Sequence, residues 1–600
     1  MKFRFRFFIS AIIITSISLS TAIAGEPDSI EQLIPPDSLA YISISNLGDI
    51  YTEVAESPQF EEFMNIEGMA QEMEEPSQGI TMLSMMLGMS LEDIMKVLGK
   101  HIGISVIGIS DNMPVAGLVI DTRADKESAE YAVNQIIGMA MSSGEAKHED
   151  KEYRDMPYKM LQMENLQVNY AFTDNFIIAG TGGGFKKIMD MYKDGGISIK
   201  DNENYQFMGK KVSLSSNLSV FANLEAAAPM LQMMAGMSLS GEDEESQIKN
   251  MMAQQLISSS KALGISLGLS DQNIEFYLHV DVEEPNPITD MIFAPHTSIR
   301  GTELLPVPQG VLASVHLGNP ARMLDGMIEM MRFLEADQED IEEIEKIIAE
   351  IELEIGMDLK EDFLSALTGE FTMLAVAPED LMFDPDNKFK TIMQMNKSRH
   401  LTIIGIEDRE KISKAVEKLM ELTETESIPI EEENYKGITI HTKVFPLKNQ
   451  LPGLAMMPSY CFKDDVFISS YDAEYVRMAI DMMEHAKTSD LPDELEESRM
   501  LCYIDIGGMA EIISESGMIE MIEEIPQEFV DDIMDKVIDF GSVAMSFSLS
   551  PEGIGMDLLS TSDNTWVAKI MDSALVMVYV KAYTEKQEEM SEEKPEEWEE

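Results

Sequence analysis

A long stretch after the N-terminus returns, element by element and in the same order, in the second half of the chain. Pro36-Asp37-Ser38-Leu39-Ala40-Tyr41-Ile42-Ser43-Ile44-Ser45-Asn46 is echoed by Pro308-Gln309-Gly310-Val311-Leu312-Ala313-Ser314-Val315-His316-Leu317-Gly318-Asn319, with Leu39 facing Leu312. Gly88-Met89-Ser90-Leu91 meets Gly356-Met357-Asp358-Leu359. Tyr170-Ala171-Phe172-Thr173-Asp174-Asn175-Phe176 meets Tyr460-Cys461-Phe462-Lys463-Asp464-Asp465-Val466, and Leu269-Ser270-Asp271-Gln272-Asn273-Ile274 meets Leu549-Ser550-Pro551-Glu552-Gly553-Ile554. The separations drift only by loop-sized steps. A repeat of this length implies a whole duplicated domain and not a solenoid unit, which would recur every ~20 to 50 residues.

Within each repeat, short β-branched runs alternate with longer amphipathic stretches, the signature of an α+β fold. In the first repeat, 39–45, 102–109, 115–120, 168–172, 176–179, 218–223, 263–269 and 274–280 read as strands. Ser110-Asp111-Asn112, Thr173-Asp174-Asn175 and Ser270-Asp271-Gln272-Asn273 are tight turns, which force antiparallel pairing. Helical periodicity covers 90–98, 126–140, 186–192, 224–237 and 244–260, then 322–333, 337–354, 408–422, 473–484 and 529–540 in the second repeat. The expected fold is two tandem α+β domains, each a mostly antiparallel sheet with helices largely on one face.

The N-terminus carries Lys2, Arg4 and Arg6, an apolar run from Phe7 to Ile14, and Ala22-Ile23-Ala24 before Gly25, which reads as a secretory signal at 1–24 cleaved after Ala24. Ser/Thr interruptions keep the run below the ~18 residues a membrane span needs. Glycine at 25 gives no lipidation cysteine, and the arginines are not paired. The first repeat then spans 25–284, a Pro-broken linker 285–301 and the second repeat 302–565. A C-terminal helix follows at 566–584, too interrupted by charge to span a membrane, and an acidic disordered tail at 585–600.

The formal charge of −64 repels phosphate backbones and anionic headgroups, which argues against nucleic acid as a partner. Two cysteines, Cys461 and Cys502, exclude a disulfide-built scaffold; one bridge and two buried thiols are both compatible with the sequence.

Motifs that carry chemistry are contradicted by their context. Gly264-Ile265-Ser266-Leu267-Gly268 matches a serine-hydrolase elbow, yet it lies in an alternating run leading to a hairpin turn, and the second copy has neither glycine. Ser258-Ser259-Ser260-Lys261 ends a helix where a nucleophile would have to open one. Gly180-Thr181-Gly182-Gly183-Gly184-Phe185-Lys186-Lys187 joins a strand to a helix, but Phe185 stands where a dinucleotide loop needs glycine, and no Gly-Lys-Ser/Thr follows. It reads as a permissive turn, with anion binding as the alternative.

The histidines, His101, His148, His279, His296, His316, His400, His441 and His485, never fall within one helical turn, so zinc-type spacing is absent. Asp384-Pro385-Asp386-Asn387 starts like a calcium loop and then places Phe389 at the required glycine. The 50 methionines include the helical stripes Met82-Met85-Met86-Met89, Met230-Met233-Met234-Met237 and Met323-Met327-Met330-Met331. These suit buried helix faces, a pliable lining for an apolar ligand, or cuprous-ion binding with a pair such as Met482 and His485.

Pro35-Pro36-Asp37-Ser38-Leu39-Ala40-Tyr41-Ile42-Ser43-Ile44, placed soon after a signal peptide and followed by Leu47 and Ser57-Pro58-Gln59-Phe60, resembles the opening of a bacterial family of exported proteins known mainly as a domain of unknown function. The second copy has Gln309 in place of Asp37. The resemblance implies large exported α+β ectodomains and brings no activity, cofactor or site residue. The expectation is a non-enzymatic scaffold or interaction protein of the periplasm or cell envelope, or extracellular, with no catalytic residue, metal or cofactor and an envelope protein as partner. The alternative is a periplasmic carrier holding a lipid or other apolar ligand in a Met/Leu-lined cavity or groove.

Overall fold

Leu263, Ile265 and Leu267 point to one side of their segment and Ala262, Gly264 and Ser266 to the other, the two-residue period of a strand. The computed structural model describes residues 27–65, 84–85, 87–110, 113–142, 146–163, 166–238, 254, 257–268, 273–281, 303–333, 338–377, 399–422, 430–443, 458–485, 498–516, 527–550, 552–560, 565–566, 568–577 and 580. The chain divides into two units, residues 1–281 with 565–571 and residues 282–564 with 572–600.

The first unit contains β1 (Ala40–Ser45), β2 (His101–Ser110), β3 (Met113–Asp121), β4 (Ala146–Tyr153), β5 (Met156–Met163), β6 (Leu166–Phe172), β7 (Phe176–Thr181), β8 (Leu218–Asn223), β9 (Ser260–Leu267) and β10 (Asn273–Val280). Its sheet runs β4-β5-β6-β7-β3-β2-β1-β8-β9-β10, antiparallel throughout. The second unit contains β11 (Gly310–His316), β12 (Leu367–Val376), β13 (Arg399–Ile406), β14 (Ile430–Tyr435), β15 (Ile438–Lys443), β16 (Ser459–Lys463), β17 (Val466–Ser470), β18 (Met500–Asp505), β19 (Ser542–Ser550) and β20 (Gly553–Ser560). These run β14-β15-β16-β17-β13-β12-β11-β18-β19-β20, again antiparallel, the same order position for position.

Matching backbone bonds fix which residues correspond. Ser45 N–H donates to Asn217 and Asn46 N–H to Lys100, as His316 N–H donates to Arg499 and Leu317 N–H to Gly369. Asn223 and Asp505 each end a strand and cap the following helix, accepting from Ala226 and Gly508 N–H. Tyr41 therefore occupies the place of Leu312. The Leu39 to Leu312 match made on sequence is out by two residues, a slip that preserves the strand period and so leaves the hydrophobic pattern intact.

The helices do not lie largely on one face. Val119, Phe176 and Ile178 share a core with Phe185, Ile188 and Met189 of the helix Gly184–Asp194, here α4. Their strand neighbours Ile120 and Ile177 share another with Ile94 and Val97 of α2 (Leu91–Leu98) and Val133 and Ile137 of α3 (Lys126–Ser142). Adjacent strand residues point to opposite faces, so both faces carry helices; α1 is Leu47–Ala55. The second unit repeats this. Ile468 packs with Val476 and Ile480 of the helix Ala473–His485, while Phe467 packs with Ile412 of the helix Arg409–Leu422.

Two strands of the first unit escape the sequence reading, β4 and β5. β4 is Ala-Lys-His-Glu-Asp-Lys-Glu-Tyr and ends the strand order, so neither of its faces needs an apolar set. Its counterpart β14 exposes Glu431, Glu432 and Glu433. The helix expected over 244–260 ends earlier than predicted, because Ser260 already belongs to β9. Residues 568–577 are helical, whereas the signal segment, the linker and the acidic tail lie outside the described residues.

Both cysteines are free. β17, β13, β12 and β11 lie between the strands that carry them, which separates Cys461 from Cys502 by about 24 Å at ~4.8 Å per strand, far beyond disulfide reach. Burial pushes the Cys461 thiol up to about 12 and raises that of Cys502.

Candidate functional site

Register makes a surface that no single segment displays. Across β2, β1, β8, β9 and β10, Ile104, Ile42, Val220, Ile265 and Phe276 stand directly opposite one another. The parallel row one step along is Ile102, Ile44, Leu218, Leu267 and Ile274, and on the other side Val106, Ala40, Ala222, Leu263 and Leu278. All fifteen positions are apolar, and every one is partly exposed. The residues between them, such as Tyr41 and Phe221, point to the opposite, buried face.

The corresponding strands of the second unit build the same grid. Met373, Ala313, Cys502, Met545 and Leu558 form the central row, with Phe371, Val315, Met500, Phe547 and Met556 beside it. Ala375, Val311, Ile504, Val543 and Ser560 complete it, Ser560 being the one polar member and the one buried. Met373 and Met500 are 48% and 45% exposed, so this grid is more open than the average core-facing sheet. An apolar area built by fourteen or fifteen contiguous side chains is larger than the scattered surface hydrophobics a soluble protein normally shows, and such areas mark binding faces.

A second cluster is polar. Glu31, on the 3-10 turn Ile30–Gln32, accepts from the Tyr41 hydroxyl at 3.4 Å and lies 3.6 Å from His101 Nε2 and 3.8 Å from Lys200 Nζ. Ser43 Oγ is 2.8 Å from the same His101 Nε2. Serine, imidazole and carboxylate thus meet, but both oxygens address one ring nitrogen. A nucleophile relay needs the acid on Nδ1 so that Nε2 can serve the serine. Ser43 is also only 2% exposed, in mid-strand, beyond a substrate's reach. The cluster instead pins the N-terminal turn to the sheet, next to Asp121, whose carboxyl burial would raise but Arg123, bonding it through Nε at 3.0 Å, holds below its ordinary value. No sequence signal linked these residues, because only the β1–β2 register and the packing of the turn bring Glu31, Ser43 and His101 together.

Burial, more than the opposing pull of Glu31, lowers the His101 pKa from its ordinary 6.5. The unfolded chain then takes up the proton first, so His101 removes stability as pH falls through and below that value. His101→Gln is expected to flatten the stability of the first unit between about pH 5 and 7, read as urea midpoints at several pH values. An unchanged slope would show that other groups set it.

The structure disposes of the sequence motifs individually. Ser266 is strand-borne and 1% exposed, its hydroxyl 2.6 Å from that of Ser216. Lys261 is the second residue of β9 and pairs with Glu225 at 3.1 Å. In the glycine run, a Cβ on Gly184 would sit 2.4 Å from Ala116 O and one on Gly180 2.6 Å from Phe185 N, so these glycines let α4 approach the sheet; Lys187 pairs with Asp37 at 2.6 Å. The Asp384 turn and the His485 side chain lie outside the described residues. Among the methionine stripes Met85, Met233 and Met327 are exposed, while Met89 packs on a core. Among the described residues no group of three His, Cys, Asp or Glu could hold a metal, and no helix is long and apolar enough to cross a membrane.

No family model matches the chain, and no curated protein matches it. Two solved structures align, crystal forms III and IV of TP0453, with TM-scores of 0.24 and 0.23 at 10% and 9% identity. The alignments cover 47% and 45% of this chain and 91% and 87% of those chains.

Proposed function

We propose that the chain is a non-enzymatic interaction protein, exported to the periplasm or cell envelope after cleavage at Ala24, in which two duplicated domains hold an envelope partner against related apolar sheet faces. The observation that carries this reading is the recurrence of one apolar, partly exposed grid on the corresponding five strands of both units. On the reverse face, by contrast, interleaved residues such as Tyr41 and Leu312 are fully buried. The one meeting of serine, imidazole and carboxylate described above, Ser43 with His101 and Glu31, is wired for structure and not for nucleophilic attack, which favours binding over catalysis.

A second reading, carriage of a lipid or other apolar ligand, draws on Met373, Met500, Met545 and Met556 in the second grid, since unbranched thioethers repack around varied apolar shapes. Native mass spectrometry of residues 25–600 from an exporting host separates the two. A stoichiometric lipid adduct would favour carriage. A clean apo mass, with photocrosslinks from Phe276 and Met556 positions to one envelope protein, would favour the interaction role. Ile265→Lys with Met545→Lys places a charge at the centre of each grid and is expected to weaken either kind of binding at least about tenfold, one desolvated charge costing several kcal/mol. Retention of full binding by a folded double variant would refute both.

A further inference from the structure

The helix Gln338–Ile355 of the second unit carries a face that the described residues leave partly exposed. Ile341 is buried and Ile344, Ile348 and Ile355 are partly so, which defines the side facing the protein. At the solvent margin of that stripe stand Ile347 and Ile351, one turn apart and 49% and 39% exposed. Glu343, Glu350 and Glu354, three or four residues from one or the other, line the outer border and are all exposed. Among the described residues, Lys346 lies 3.7 Å from Glu350 at this border, and no ion pair engages Glu343 or Glu354.

We infer that this ridge of the helix Gln338–Ile355 is a docking surface for a basic amphipathic segment of a partner protein, one that lays apolar side chains on Ile347 and Ile351 and sets lysines or arginines against Glu343, Glu350 and Glu354. Charge complementarity selects this occupant. A chain of net charge −64 repels a second copy of itself, and a neutral apolar partner would desolvate Glu343 and Glu354 with no counter-charge to set against them. A helix presenting residues at i and i+4 matches the one-turn spacing of the two isoleucines. This surface lies on a helix and not on the sheet grid, so it stands or falls separately from the proposed role of the grid.

The test uses full-length mature protein and a fluorescently labelled 18-residue Lys/Leu amphipathic peptide, with a scrambled peptide of equal charge as control. Anisotropy titrations at low and physiological salt are expected to show the amphipathic peptide binding at least about tenfold tighter than the scrambled one. Ile347→Ser with Ile351→Ser should abolish that preference while every charge is kept, and Glu343→Gln with Glu354→Gln should reduce both affinity and salt dependence. Ile265→Lys with Met545→Lys, in the sheet grids, should leave this binding unchanged. Equal affinity for the two peptides, or full binding by a folded double-serine variant, would overturn the inference and reduce the effect to the general acidity of the surface.

Discussion

Gly369→Val is expected to unfold the second unit, at a cost of about 3 to 6 kcal/mol once backbone strain and overpacking add. Gly369 has φ +92°, and a Cβ there would lie 1.7 Å from the carbonyl oxygen of Gly318, itself at φ +75°. Both partners in that collision are backbone, so no rotamer change can relieve it. The backbones are also bonded, Leu317 N–H donating to Gly369 O at 2.9 Å. Immediately beside them lie the buried side chains of His316 on β11, Glu370 on β12 and Arg499 just before β18, and Arg499 Nε donates to His316 O at 2.9 Å. Shifting either strand would disturb that row as well. Gly108→Ala is the control, since nothing lies within 4 Å of the added carbon. Denaturant unfolding followed by far-UV circular dichroism distinguishes the two; equal midpoints for both variants would mean the close approach of Gly318 and Gly369 is not real.

Phe185→Ala should cost the first unit about 3 to 5 kcal/mol, the usual price of emptying a buried phenylalanine site. The ring is fully buried, 5.0 Å from that of Tyr158, and it fastens α4 to Val119, Phe176 and Ile178. Its position at the start of α4 explains the preceding glycines, which bring the helix so close to β3 and β7 that a void left under Phe185 cannot be closed by settling. Phe185→Leu should lose less than half as much. A midpoint shift with unchanged denaturant slope is the expected signature. Should the alanine variant melt like the parent, the helix would have to be held by other contacts, and the anion-binding reading of the loop would regain interest.

Eight strands of the first unit were legible because one side of each must be apolar, and alternation records that. β4 and β5 were not: β4 carries charge on both sides, and β5 spaces Met156, Met160 and Met163 as a helix would, so neither shows clean alternation. The two-face distribution of helices was hidden for a related reason: strands such as β7, Phe-Ile-Ile-Ala-Gly-Thr, are apolar on both sides, and a sequence does not say which helix covers which. The grid was half visible. Every member lies in a run that reads as strand, but only the pairing of Ile42 with Val220, Val220 with Ile265 and Ile265 with Phe276 turns separate alternations into a surface. The Glu31, Ser43 and His101 cluster was invisible, as no spacing in the sequence links the three residues.

The charged hairpins that end each strand order bear on how the protein behaves when crowded. β4 exposes Lys147, Glu149, Asp150, Lys151 and Glu152, and β14 exposes three consecutive glutamates. A newcomer strand laid along β14 would have to bring carboxylates into register with side chains of like sign or strip their hydration, and either outcome discourages templated growth. On the proposed role of the grids, partly exposed apolar sheet faces carry a standing risk of coalescing with those of other copies. Charge placed on the outer hairpin of each strand order works against that coalescence where edge pairing would begin.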